Sequence, residues 1–238
     1  MKRLVLVLLI VVCAMAMPRA QGATGPVVRL NAPIDVALDA RETPRRLLHA
    51  RVTIPVSAGP LTLVYPKWIP GEHAPDGPID DMVGLRFAAA GKTVAWRRDG
   101  VDRYAFHLDV PQGATSLDAS FDFLSPIGAG GFSSSSSETA HLGIYYWNQV
   151  VLYPQGAKPD DVMVRATLQV PDGWQIGTSL VSESGSSRRG GPSGPPEPTK
   201  FAPVSLTTLI DSPVIAGEYF KAVPLDTGSR AVEADLVG

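Results

Sequence analysis

The sequence predicts an all-β chain, folded as an antiparallel β-sandwich or as saddle-like open sheets joined by long Gly/Ser/Pro-rich loops. Three observations predict it. Apolar and polar side chains alternate with a two-residue period in several separated runs, Pro and Gly signals stand between the runs, and no comparable stretch carries a helical period.

The chain opens with Met1-Lys2-Arg3 and a continuous apolar run from Leu4 to Ala16, followed by the small residues Ala20 and Gly22. A basic start, an apolar stretch and small residues form the pattern of a secretory signal peptide, here residues 1–22. The run is shorter than the roughly 20 residues that cross a bilayer. Pro18, Arg19 and Gln21 end it, so no stable membrane span is expected after cleavage; an uncleaved anchor is the second reading. The expected location is outside the cytoplasm, periplasmic or secreted. Cys13 follows Val11 and Val12, where lipid attachment requires a small residue, and is read as an ordinary member of the apolar run.

Residues 23–238 form the predicted β-rich domain. Leu48, Ala50, Val52 and Ile54 alternate with His49, Arg51 and Thr53, as one buried strand face requires. The pattern returns over Tyr104 to Val110, Leu117 to Phe123 and Val162 to Val170. Further strands are predicted for Val28 to Leu38, Leu61 to Tyr65, Val83 to Ala88, Thr93 to Arg97, Ile144 to Leu152, Glu218 to Val223 and Ala231 to Val237. Pro70-Gly71, Gly91-Lys92, Asp99-Gly100, Pro111-Gln112-Gly113 and Pro171-Asp172-Gly173 supply turns by fixing or freeing φ. Gly128 to Ser137 and Glu183 to Pro198 have too little apolar surface to offset the entropy of ordering and are expected as mobile loops.

Charge and cysteine content narrow the function. Removing Lys2, Arg3 and Arg19 with the leader takes the formal charge from −2 to −5, and no block of Lys and Arg remains to track phosphates. Nucleic acid is therefore not an expected partner. Cys13 is the one cysteine, so the mature domain has neither a disulfide framework nor a thiolate zinc cluster.

Motifs for chemistry are absent from the sequence. His49, His73, His107 and His141 are widely spaced, and none forms the His-Glu-x-x-His pair that sets two zinc ligands one helical turn apart. His49 and His107 fall on polar strand faces, where an imidazole is expected simply to meet water. There is no Gly-x-Ser-x-Gly elbow, phosphate loop or dinucleotide fingerprint. No catalytic and no metal residue is assigned to this chain. One stretch, Trp68 to Asp81, combines carboxylates, an imidazole and an aromatic ring on a Pro-rich loop. Trp68, Glu72, His73 and Asp76 are its candidate residues, facing a substrate or a neighbouring domain; a structured turn with solvated acids is the competing reading. Tyr145, Tyr146 and Trp147 offer aromatic surface, but alternation sends neighbours to opposite faces, which favours core packing.

Three separated blocks carry a resemblance. Tyr65-Pro66-Lys67-Trp68-Ile69-Pro70-Gly71, then Val170-Pro171-Asp172-Gly173-Trp174 followed by Thr178-Ser179-Leu180, then Leu209-Ile210-Asp211-Ser212-Pro213-Val214-Ile215-Ala216-Gly217 occur in order. Together they resemble the N-terminal domain of the M61 metallopeptidases, the glycyl aminopeptidase family. The resemblance implies a β-rich first part of an enzyme that continues into a thermolysin-like zinc domain, often with a PDZ domain near the end. This chain is then expected to be truncated before the catalytic domain. Zinc is expected in that missing domain and no cofactor in this chain. The implied partners are the downstream catalytic domain of the same polypeptide and the peptide substrate of the parent enzyme. The sequence departs from the family at Glu72-His73, where relatives often place an aromatic residue, and in the Gly-Pro stretch around Gly190. A free-standing exported module that binds carbohydrate or peptide is the alternative function.

Overall fold

Alternation of apolar and polar side chains builds the central sheet. The structure, a computed structural model, describes residues 30–69, 73–126, 137–183, 188–189, 197–226 and 232–238. In chain order the strands begin with β1 (Ile34–Asp39), β2 (Leu47–Pro55), β3 (Gly59–Val64), β4 (Met82–Ala89), β5 (Lys92–Val94), β6 (Trp96–Arg98), β7 (Ala105–Val110) and β8 (Ser116–Leu124). They continue as β9 (Ser137–Glu138), β10 (Leu142–Tyr145), β11 (Tyr153–Pro154), β12 (Met163–Gln169), β13 (Gln175–Thr178), β14 (Arg188–Arg189), β15 (Thr199–Lys200) and β16 (Val204–Ser205). A short helix α1 (Leu206–Ile210) precedes β17 (Val214–Gly217), β18 (Phe220–Asp226) and β19 (Val232–Val237).

The largest sheet has the order β15-β12-β1-β2-β8-β4-β5, with β16 also on β12. A second runs β14-β13-β17-β10-β9, a third β11-β3-β7-β6, and β18 pairs with β19. The all-β, open-sheet expectation holds. Among the described pairings only β1 and β12 run parallel, with Ile34 opposite Val164, so the large sheet is mixed rather than purely antiparallel. A parallel neighbour needs a long connection, and the whole chain from β2 to β11 supplies it.

In β1, β2, β8 and β12 the apolar members of each alternation, among them Val36, Val52, Phe121 and Val164, are buried, while Asp35, Arg51, Asp118 and Arg165 line the opposite face. Both smaller sheets contribute to the same continuous core. Phe87 of β4 meets Trp96 of β6 edge to face with ring centroids 6.0 Å apart, and Trp96 meets Phe106 of β7 at 5.5 Å. Each fully buried large apolar side chain contributes about 1.5–3 kcal/mol, which is how one-sided patterning fixes the register.

Two predicted strands break where the chain changes sheet. Thr93 to Arg97 divides at Ala95, with β5 in the large sheet and β6 in the third. Ile144 to Leu152 is strand only at its start, in β10; a 3-10 turn at Trp147–Gln149 follows, closed by Gln149 N–H to the Tyr146 carbonyl at 3.0 Å, and β11 begins at Tyr153, past the predicted end. Asn148 and Gln149 are the only polar break in an otherwise apolar and aromatic run, and with no Gly or Pro beside them they give no strong turn signal, although all three turn side chains are buried. Helix α1 is unforeseen for a different reason. It is one turn long, too short to show a period, and rests on the Ser205 hydroxyl capping Thr208 N–H at 3.1 Å with Leu206 and Leu209 buried.

β4 carries a bulge between Val83 and Arg86, with Gly84 at φ 68°. The β4–β5 hairpin turns through Ala90 (φ 49°) and Gly91 (φ 75°), the two positive angles of a type I′ turn. Among the described residues no helix is long and apolar enough to cross a membrane, and the stretch 1–22 expected to be a leader lies outside them. The segments 128–136, 184–187 and 190–196 of the two expected loops also lie outside. Ala90 bears a Cβ where the left-handed region disfavours one, so Ala90→Asn is expected to raise stability by about 0.5–1 kcal/mol. Urea unfolding with an unchanged m-value is the measurement; a fall in the midpoint refutes it.

Candidate functional site

The Trp68 segment leaves the end of β3 and is tied at several points. Tyr65 is buried, with its N–H on the Tyr104 carbonyl at 2.9 Å and its hydroxyl on the Gln149 carbonyl at 3.1 Å. Burial holds that phenol well above its ordinary pKa. Beyond it, Gly77 N–H donates to the Lys67 carbonyl at 3.0 Å and brings the two ends of the loop together. Any Cβ on Gly77 would collide with the Pro66 carbonyl oxygen, so this closure requires glycine.

The turn from Asp99 to Tyr104 clamps the loop from the side. The Tyr104 hydroxyl shares its proton between the carbonyls of Pro75 and Gly77, at 3.0 and 3.1 Å. Lys67 Nζ lies 2.7 Å from Asp102 Oδ2, and the Arg103 guanidinium is 2.5 Å from Asp80. The Lys67 ammonium beside it lowers the Asp102 pKa, and burial raises that of Tyr104.

This turn is itself anchored to the third sheet. Asp99 Oδ1 accepts Val101 N–H and Asp102 N–H, both at 2.8 Å, and Oδ2 lies 2.8 Å from His107 Nε2. His107 Nδ1 is in turn 2.9 Å from the Thr62 hydroxyl. The backbone N–H of Asp102, then His107, then Val101 N–H drive the Asp99 carboxyl far below the usual range. A continuous polar chain therefore runs from β3 through β7 and the Asp99 turn to Lys67.

On this support Trp68 is 61% exposed and Val101 98% exposed, two apolar side chains on adjoining loops. His73 and Asp76 are exposed on the same loop, while Glu72 lies outside the described residues. The loop thus presents an aromatic side chain from a preorganised backbone, an arrangement suited to packing against a partner surface.

His49 and His107 do lie on polar strand faces, but neither simply meets water. His107 bridges Thr62 and Asp99, and His49 Nδ1 is 2.7 Å from Asp122 Oδ1. The carboxylates come from other segments, so spacing along one strand does not reveal them. Tyr145 and Trp147 are fully buried and Tyr146 half-buried, which removes that trio as a sugar platform. Sequence reading also missed Glu138. It is wholly buried on β9, accepts a hydrogen bond from Ser125, and burial raises its pKa. Its position after a serine run gives no hint of burial. Among the described residues no three of His, Cys, Asp and Glu come together as metal ligands.

A family model described as the peptidase M61 N-terminal domain matches residues 35–218. Among solved structures, an aminopeptidase N family protein from Idiomarina loihiensis is similar with a TM-score of 0.69 at 17% identity, over 86% of this chain and 32% of that one. At that identity the likeness is one of fold. An M1 zinc metallopeptidase from Deinococcus radiodurans has a TM-score of 0.47 at 14% identity, over 86% of this chain and 46% of that one. The chain thus spans less than half the length of either protein. No curated protein matches it.

Two outcomes follow from the clamp. Tyr104→Phe removes the side-chain donor shared by the Pro75 and Gly77 carbonyls, the second of which keeps Ile79 N–H, and is expected to cost about 0.5–1.5 kcal/mol, with faster proteolysis within the Trp68 loop. Unchanged cleavage and stability would refute the clamp. Asp99 has a depressed folded pKa, so its contribution is full above the unfolded value of about 4 and is lost as pH falls through the lower, folded value. The stability gap between the native chain and Asp99→Ala should accordingly be pH-independent near neutrality and close in acid. Denaturation series from pH 2 to 7 measure it, and a gap that widens in acid contradicts the assignment.

Proposed function

Because this chain belongs to the peptidase M61 family, as the carrier of its N-terminal domain over residues 35–218, we propose that it is the non-catalytic front domain of an exported zinc aminopeptidase. In this reading it packs on a downstream thermolysin-like domain and walls the peptide cleft. The family match is the observation that carries the proposal. The clamped loop with its exposed Trp68 supports the packing role, since a side chain already held in place loses little further entropy at an interface.

The described residues of this chain do not fit a zinc site. The sequence has no His-Glu-x-x-His, and the described residues bring no set of ligands together. Zinc and the general base therefore belong to the downstream domain, and this chain's part is to orient and to limit access. Trp68, Glu72, His73 and Asp76 are the residues proposed to face the partner domain or the peptide. Residues 1–22 serve export, and 23–238 remain as the mature domain.

The test uses the complete polypeptide, expressed with its own leader. Release of amino acids from short peptides is expected, lost with a chelator and restored by zinc, with the 238-residue chain inactive alone. Mass spectrometry of the exported product should place its N-terminus near residue 23. Peptide cleavage by the 238-residue chain itself, or a complete reading frame without His-Glu-x-x-His, would sink the proposal.

A further inference from the structure

The outer face of the large sheet carries a feature that the peptidase reading does not use. One register row places Ala37 of β1, Arg51 of β2, Ser120 of β8 and Arg86 of β4 side by side. All four are exposed, since their neighbours Val36, Val52, Ala119 and Phe87 point into the core. Ser120 thus stands between two arginines whose backbones are two strand spacings, about 9.6 Å, apart. The bulge at Gly84 and Leu85 sets this register, because without its one extra residue Arg86 would not lie opposite Ser120. Small residues on the floor, namely Ala37, Gly84 and Ser120, leave a hollow of about 520 Å³ with both arginines on its lining.

The charges of this face are unequally matched. Asp39 is paired with Arg41 at 2.6 Å, Asp122 with His49 at 2.7 Å and Asp35 with Arg165 at 2.7 Å, while Asp118 accepts the Thr53 hydroxyl at 2.6 Å. Each of these carboxylates already has its partner. Arg51 and Arg86 have no ion pair, hydrogen bond or ring contact with the described residues. Asp39, Asp122 and His49 also line the hollow, and both carboxylates are engaged, Asp39 by Arg41 and Asp122 by His49, so among its described lining residues the two guanidinium groups flanking the Ser120 hydroxyl are the charges left without a partner.

The geometry points to an oxyanion site in this hollow, which takes a small phosphate group between Arg51 and Arg86 with the Ser120 hydroxyl as a third donor. Each planar guanidinium presents two parallel N–H donors, and a tetrahedral phosphate offers enough oxygens to engage both forks and the hydroxyl at once. A carboxylate has only two oxygens and is satisfied by one fork. Phosphate is therefore preferred over carboxylate at equal ionic strength.

Isothermal titration calorimetry of the full-length protein with inorganic phosphate, at ionic strength fixed with chloride and with acetate in parallel, tests the site. Saturable phosphate binding is expected, weaker by about tenfold in Arg51→Gln and in Arg86→Gln. Arg51→Lys should fall between, because it keeps the charge and loses the fork. Lys158→Gln should leave binding unchanged, since Lys158 is exposed just before the Pro159–Asp161 turn and does not line the hollow. Circular dichroism and thermal midpoints matching the native protein separate loss of binding from loss of fold. Absence of saturable phosphate binding, equal affinity for acetate, or phosphate affinity that survives the Arg51→Gln, Arg86→Gln pair would overturn the site.

Discussion

One-sided burial of the large sheet is the constraint on which the rest depends. Strands with a period of two can bury only one face each, so β1, β2, β8 and β12 must share a buried side and expose the other. The two smaller sheets contribute to the core that side requires, which is why Phe87, Trp96 and Phe106 form a connected aromatic series between layers. A one-residue slip in any central strand would carry its whole apolar set to the outer face. The cost would be many times the stability of a typical domain's weakest contacts.

That constraint also separates two kinds of surface. At the third sheet, polar residues are spent on local architecture: Thr62, His107 and Asp99 link strands to a turn, and Asp102 and Tyr104 link the turn to the Trp68 loop. Partly exposed ion pairs contribute little one by one. Here they act with buried hydrogen bonds and a glycine that admits no side chain, and together they hold a loop whose own sequence is mostly turn-forming. On the outer face of the large sheet several polar residues form cross-strand pairs instead, His49 with Asp122 and Asp35 with Arg165 among them, while the two arginines beside Ser120 have no ion pair with the described residues.

Reactive groups in this chain are absorbed into structure: the His107 imidazole bridges a hydroxyl and a carboxylate, and the Tyr65 and Tyr145 phenols are buried acids of raised pKa. Burial pushes the Tyr145 phenol well above its ordinary value despite its hydrogen bond with Thr43, so it serves as a packing group with one satisfied polar end.

The sequence by itself determined the strand content, the buried face of each central strand and the family blocks at Trp68, Trp174 and Asp211, because all of these are local patterns of side-chain type. Turn chemistry made most boundaries legible too, through Gly91, Gly113 and Gly173 at positive φ. Tertiary structure alone decided the rest. The parallel pairing of β1 with β12, the sheet changes at Ala95 and Trp147, the burial of Glu138, and the partners of His49 and His107 all depend on residues far apart in the chain. Alternation states which face a side chain takes. Only the assembled sheets state which neighbour it meets there, because pairing energy is gained between strands and leaves no period within one.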